Sequence, residues 1–203
     1  MKRPIIDPKK SYTFSDYFAL NPPIDELLAY FGYTKQVIPW NWSKASHDLA
    51  FFAGLRKQFE THLQVADLTT ESARQQILVA PILLNLAAYL QTKVYIEYPL
   101  RVTHQLKGKI DYYLRRHSNL LIIEAKNDDL SRGFTQLAVE LIAFDQWLEE
   151  DEKPLYGIVT IGNVWQFSIL NRQTKQITQD IHLYPIPDDI EDLLQILITI
   201  LAD

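Results

Sequence analysis

The chain has 203 residues, a formal net charge of −5, 47% hydrophobic residues and no cysteine. It is too apolar for a disordered polypeptide and has the length of one ordinary domain, and the lack of thiols excludes disulfides, thiolate zinc sites and cysteine nucleophiles. Met1-Lys2-Arg3-Pro4 leads into Asp7-Pro8-Lys9-Lys10 with no apolar stretch, and the longest uncharged apolar run, Ile77 to Leu84, falls far short of the roughly 20 residues that span a bilayer, so the expectation is no signal peptide, no membrane association and a cytoplasmic location.

Residues 1–21 are polar, contain proline and show no period, which reads as an extended arm. Pro22-Pro23-Ile24-Asp25-Glu26 opens a short helix that Gly32 closes. After a loop at Pro39-Trp40-Asn41-Trp42, the stripe Leu49, Phe52, Phe59 and Leu63 predicts a helix over 46–65. A second helix starts at Thr70-Glu71-Ser72-Ala73, with Ile77, Leu78, Ile82, Leu86 and Tyr89 on its apolar face. Pro81 inside that pattern should kink or split it.

The period then changes. Strands are predicted at 94–99, 108–115 and 119–126, the last two joined by a turn at His117-Ser118-Asn119. The unbroken run Leu120-Leu121-Ile122-Ile123 is that of a strand covered on both faces. A helix follows over 131–150, with Phe134, Leu137, Leu141, Phe144 and Leu148 as its stripe. Strands at 155–161, 165–170 and 176–183 and a closing helix over 188–201 complete the chain. The order predicts an α/β domain over 69–203, with 1–68 forming an N-terminal arm and helical extension packed on it.

Chemistry concentrates in Gly108-Lys109-Ile110-Asp111 and in Glu124-Ala125-Lys126, thirteen residues after the aspartate. Glu124 and Lys126 share a parity and so a face. On the neighbouring strand Ile110, Tyr112 and Leu114 are expected on one face, with Lys109, Asp111 and Tyr113 on the other. Charges ending a core strand are costly unless paired or metal-bound. Two carboxylates without cysteine or nearby histidine suit a hard ion such as Mg²⁺, and a plain salt bridge of Lys126 with Glu124 or Asp111 is the competing reading. The five histidines show no metal spacing, and no nucleophile elbow or P-loop occurs. The aromatic pairs Trp40/Trp42 and Phe51/Phe52 are read as core. Between Lys93 and His117 six basic residues meet two acidic ones, so this stretch is +4 and the remainder −9. Alone, that is a solvated basic strand surface.

In this order the segments resemble the PD-(D/E)xK nuclease superfamily, and within it the N-terminal nuclease domain of type I restriction enzyme motor subunits and stand-alone bacterial relatives. Glu71-Ser72-Ala73-Arg74 with Ala80-Pro81-Ile82-Leu83 is similar to the family's first helix, and Glu97-Tyr98-Pro99-Leu100 to the strand before the motif. Gly108-Lys109-Ile110-Asp111-Tyr112 and Ile123-Glu124-Ala125-Lys126 resemble the signature, and Phe134-Thr135-Gln136-Leu137 the glutamine-bearing helix. Tyr156-Gly157-Ile158-Val159-Thr160 with Trp165-Gln166-Phe167 resembles the closing hairpin. The likeness covers roughly Thr69 to Leu170. It departs at Ile110, where the signature has proline, and these 203 residues include no helicase motor.

The resemblance implies a restriction-endonuclease-like core, a mixed sheet flanked by helices in αβββαβ order. It implies a Mg²⁺-dependent deoxyribonuclease, with Mn²⁺ able to substitute. Asp111 and Glu124 would ligate the metal, with the Ala125 carbonyl and Glu71 as further oxygens, while Lys126 would assist and Gln136 would fix a water or Lys126. Gln136 as a solvated helix residue and Glu71 as a favourable first-turn charge are the competing readings. Glu140 is expected to face solvent, and Glu97 is a weaker member of the set. Lys107, Lys109, Arg115, Arg116 and Arg132 would bind the DNA backbone weakly and without sequence preference. A homodimer would supply two sites for two strands, and a protein partner could supply the missing motor. The alternative is a non-catalytic nucleic-acid- or protein-binding module on the same fold.

Overall fold

A computed structural model describes residues 5–44, 46–126, 128–149 and 153–202. Two short helices open the chain, α1 (Phe14–Leu20) and α2 (Ile24–Phe31), followed by β1 (Thr34–Ile38). A 3-10 turn (Ala50–Phe52) precedes α3 (Leu55–Val65). Then α4 (Glu71–Arg74) runs through a π turn (Gln75–Val79) into α5 (Ala80–Leu90). Three strands follow, β2 (Lys93–Arg101), β3 (Lys107–Arg116) and β4 (Asn119–Ala125), then α6 (Leu130–Trp147). The chain closes with β5 (Leu155–Thr160), β6 (Val164–Asn171), β7 (Gln176–Asp180), β8 (Tyr184–Pro185) and α7 (Ile190–Ala202).

The fold is α/β with a mixed sheet of eight strands. The strand order is β1-β7-β6-β5-β4-β3-β2, with β8 beside β6. β1 and β7 pair in parallel, as do β4 and β5, and the other pairs are antiparallel. Both faces are covered, so β4 is buried along its whole length. Leu121, Ile123 and Ala125 pack with α3, α5 and α7, whereas Leu120 and Ile122 pack with α1, α2 and α6. Glu124 and Lys126 continue the second parity and lie in the α6 layer.

Several expectations need correction. Residues 1–21 are not wholly an extended arm. Asp16 accepts the Thr13 amide at 2.6 Å and the Thr13 hydroxyl at 2.7 Å, which starts α1 and lets it bury Phe14 and Tyr17. The expected helix over 46–65 is reduced to the 3-10 turn and α3, with Leu63 exposed. β1 joins β7, so the sheet includes a strand from within 1–68. The helix ending in the sequence reading at Glu150 closes among the described residues at Trp147, and Glu150 and residues 1–4 lie outside them. The split expected at Pro81 is present, with the proline in the first turn of α5 and the π turn just before it. The π turn takes up the disruption before it, with the Ala80 amide bonding the Gln75 carbonyl five residues back.

The alternation expected in β3 also fails at one point. Tyr112 and Leu114 face the α5–α7 layer, but Ile110 packs in the α6 layer. The slip falls at Asp111. Across from it on β2, Glu97 adopts φ 49°, and the β2–β3 ladder omits this one pair while keeping register on both sides. A left-handed residue in a strand twists it locally and re-aims its neighbour. Below the slip, Gly108 lets α1 approach, since a Cβ there would stand 2.7 Å from Phe14 Cδ2.

Candidate functional site

The sheet delivers β4 into the site as a rigid, desolvated rod. At its end Glu124 is 0% exposed and Lys126 9%. The Lys126 ammonium lies 2.5 Å from Glu124 Oε1, so the salt bridge read from the sequence as the competing explanation is present. It leaves the carboxylate under-served, because Glu124 Oε2 has no hydrogen-bond partner and Oε1 has only the charge contact. Burial, then Glu140 and Asp111, push the Glu124 carboxyl well above the ordinary range, and Lys126 opposes them. For Lys126 burial favours the neutral amine, but Glu124 and Asp111 outweigh it and hold the ammonium charged. Phe18 of α1 covers that ammonium, its ring centroid 5.1 Å away. Gly133 in the first turn of α6 admits the Lys126 stem, since a Cβ there would stand 3.1 Å from Lys126 Cγ and 2.6 Å from Val159 Cγ2.

Asp111 turns around the end of β4. Its Oδ2 accepts the Ala125 amide at 3.0 Å. Beyond it stands Gln75, which the sequence reading missed. Gln75 Nε2 lies 3.4 Å from Glu71 Oε1, 3.4 Å from Asp111 Oδ2 and 3.4 Å from the Ala125 carbonyl oxygen. One amide group has two hydrogens for these three acceptors, and all three distances exceed a normal hydrogen bond of roughly 2.7–3.2 Å. The three oxygens are those the family likeness assigns, beside Glu124, to metal binding. Gln75 follows Glu71 by one helical turn, and that spacing was its only signal in the sequence. Asp111 titrates near 6 instead of 3.8, chiefly through burial, while Lys126 and the Ala125 amide oppose the rise and Glu71 and Glu97 add to it.

The expectation that Glu140 faces solvent is wrong. Residues Gly133 to Phe144 of α6 are all buried, because the sheet covers one side of the helix and α1 and α2 the other. Glu140 is 0% exposed and accepts a 2.9 Å bond from Gln136 Nε2. Burial lifts its carboxyl to about 8. Gln136 is buried rather than solvated, and its Oε1 has no partner, nor has Glu140 Oε2. Gln136 thus engages Glu140 directly, and through it the Glu124 side of the site.

The basic residues divide. Lys107 and Lys109 lie at the Asp111 end of β3, with Lys109 in an exposed 2.9 Å pair with Glu97. Arg132 is in the first turn of α6, 3.3 Å from Asp129. Arg115 and Arg116 lie at the other end of β3, roughly 13–17 Å along the strand from Asp111. Arg116 bonds the Leu201 and Ala202 carbonyls, both at 3.1 Å, and so caps α7.

Among the described residues no three His, Cys, Asp or Glu side chains come together as a metal cluster. The donor set at Gln75 is two carboxylates and a backbone carbonyl, which fits an ion that keeps several waters. No helix among the described residues is long and apolar enough to cross a membrane. No family model matches the chain, and no curated protein matches it.

Proposed function

We propose that this chain is a metal-dependent nuclease on a restriction-endonuclease-like core that hydrolyses phosphodiesters in DNA. The observation that carries the reading is the position of Gln75 Nε2, equidistant from Glu71 Oε1, Asp111 Oδ2 and the Ala125 carbonyl. A single amide is a poor occupant for three oxygens with a net negative charge, and Mg²⁺ or Mn²⁺ is a suitable one. Gln75 would swing aside, Glu71, Asp111 and Ala125 would hold the ion, and Glu124 would join once its pairing with Lys126 loosens.

Bound there, the ion would supply Lewis-acid polarisation of the phosphate and a more acidic water. The protein's own groups do the rest. Lys126, kept charged by Glu124, presents a compact ammonium to the phosphate. Phe18 covers the ammonium and Gly133 admits its stem, which leaves Lys126 only 9% exposed. Lys107 and Lys109, at the Asp111 end of β3, and Arg132, in the first turn of α6, would meet the backbone charge of the substrate. The ordering α5, β2–β4, α6, β5 supports the reading, since αβββαβ is the order expected of the resembled family.

The closed Lys126–Glu124 pair favours a second reading, a binding module that keeps the fold without the chemistry. Nicking of supercoiled plasmid with Mg²⁺ or Mn²⁺ separates the two. The nuclease reading expects activity in the wild type and none in Asp111→Ala, and equal behaviour of the two proteins sinks it.

A further inference from the structure

We infer that the pocket beside the first turn of α6 takes an unpaired nucleotide of the strand being cut. This deepens the nuclease reading and rests on it. The pocket measures about 360 Å³, within the usual size of small-ligand sites of roughly 300–1,000 Å³. Its walls are the apolar side chains of Phe134, Ile181 and Leu183, the amide pair Gln166 and Gln179, and Lys35. Among the described residues that line it, Lys35 alone is charged, in a chain that is −5 overall. Ile181 and Leu183 are 52% and 48% exposed, large aliphatic side chains open to solvent beside that cation.

These groups match the parts of a nucleotide. Lys35 is half-buried with its ammonium 5.4 Å from the Phe134 ring centroid, at the rim where a backbone phosphate would pass. Ile181 and Leu183 offer an apolar surface for a base. Gln179 Nε2 bonds Gln166 Oε1 at 3.1 Å and Gln166 Nε2 bonds the Asp180 carbonyl at 2.7 Å, so the amides are ordered before any ligand arrives. Ordered amides read base edges at low entropic cost.

Two elements, the end of α1 and the first turn of α6, carry residues of both the pocket and the Lys126 surroundings. Phe18 covers the Lys126 ammonium, and Asn21, the left-handed residue that closes α1, lines the pocket. Gly133 packs on the Lys126 stem, and the next residue, Phe134, forms a pocket wall. A strand lying across Lys126 would therefore place a neighbouring nucleotide at the pocket. A base held in a duplex has its pairing edge occupied and cannot offer it to the Gln166 and Gln179 amides, so the inferred substrate is single-stranded DNA or a frayed end.

The test is fluorescence anisotropy with a labelled 12-nucleotide single strand and the duplex of the same sequence. It uses Asp111→Asn protein, so that binding is read without turnover. Lys35→Glu should weaken single-strand binding about tenfold and exposed Leu183→Ser about threefold, with duplex binding changed less. Melting curves confirm that both variants fold, and Lys35→Gln, with a smaller loss than Lys35→Glu, replaces the latter if it does not. The inference is overturned if the variants bind the single strand within twofold of the parent, or if single strand and duplex weaken equally. If protein with native Asp111 cuts nothing while binding still depends on Lys35 and Leu183, the nuclease reading falls and the pocket stands. If it cuts and binding ignores both residues, the pocket falls alone.

Discussion

Asp111→Asn should make the metal-free protein more stable while removing its activity. The wild-type carboxyl sits near 6 instead of 3.8 because burial disfavours its charge. The difference corresponds to about 3 kcal/mol of penalty on the ionised form. The neutral carboxyl is the favoured form in the folded state. That contribution is fully present below pH 3.8 and is lost as pH rises through about 6. At pH 8 without metal the wild type therefore carries the whole penalty. Asparagine carries none, and its carbonyl can still accept the Ala125 amide. For a chain of this length about 3 kcal/mol corresponds to roughly 6–12 °C in melting temperature. Thermal melts in EDTA should show the variant above the wild type at pH 8 and level with it near pH 4. Adding Mn²⁺ should raise the wild type alone, by about 2.7 kcal/mol at a hundredfold excess over Kd. A variant that melts at or below the wild type at pH 8 in EDTA refutes the reasoning, because the carboxylate would then be stabilising the fold as an ion-pair partner.

Lys126→Ala should abolish plasmid nicking and destabilise the protein by about 3 kcal/mol, since it strands a buried carboxylate, and Glu124→Gln added to it should recover most of the loss in a urea melt. Glu140→Gln should remove the part of the metal-free stability that falls between pH 5 and 8, because a carboxyl raised to about 8 favours the fold below its unfolded value near 4.5 and ceases to do so as pH rises through 8. A pH series of melts checks this, and an unchanged slope contradicts it. Gly133→Ala should cost about 1–3 kcal/mol and lower nicking as the new methyl displaces Val159 and Lys126. Arg116→Ala should cost about 1 kcal/mol through the α7 carbonyls it leaves unbonded and leave DNA affinity unchanged, whereas Lys107→Ala should lower the affinity and its salt slope.

Strands β2 to β7 were legible because the period changes sharply near residue 93 and because β4 carries an apolar run that only a doubly covered strand would bury, whereas β1 and β8 carried no comparable pattern. Asp111, Glu124 and Lys126 stood out because charges are expensive at the end of such a strand. What remained hidden depended on partners distant in sequence. Glu140 looks like a helix-surface acid until α1 and α2 close over α6, and those helices lie more than a hundred residues earlier in the chain. Gln75 is an ordinary helix residue until β3 slips at Asp111 and turns a carboxylate toward it. That slip needs a left-handed Glu97, which no strand propensity announces. The helix in the arm did have a local sign, Thr13 followed three residues later by Asp16, but its apolar side chains find a partner only where Gly108 leaves room.

The central claim is that Gln75 holds the place of a divalent cation. Anomalous diffraction from crystals soaked in Mn²⁺ tests it most directly. The account predicts one strong peak bonded to Asp111 and the Ala125 carbonyl, with Glu71 on the metal or its waters and the Gln75 amide rotated away. A soaked crystal with no peak there, and with Gln75 still between its three oxygens, would contradict it.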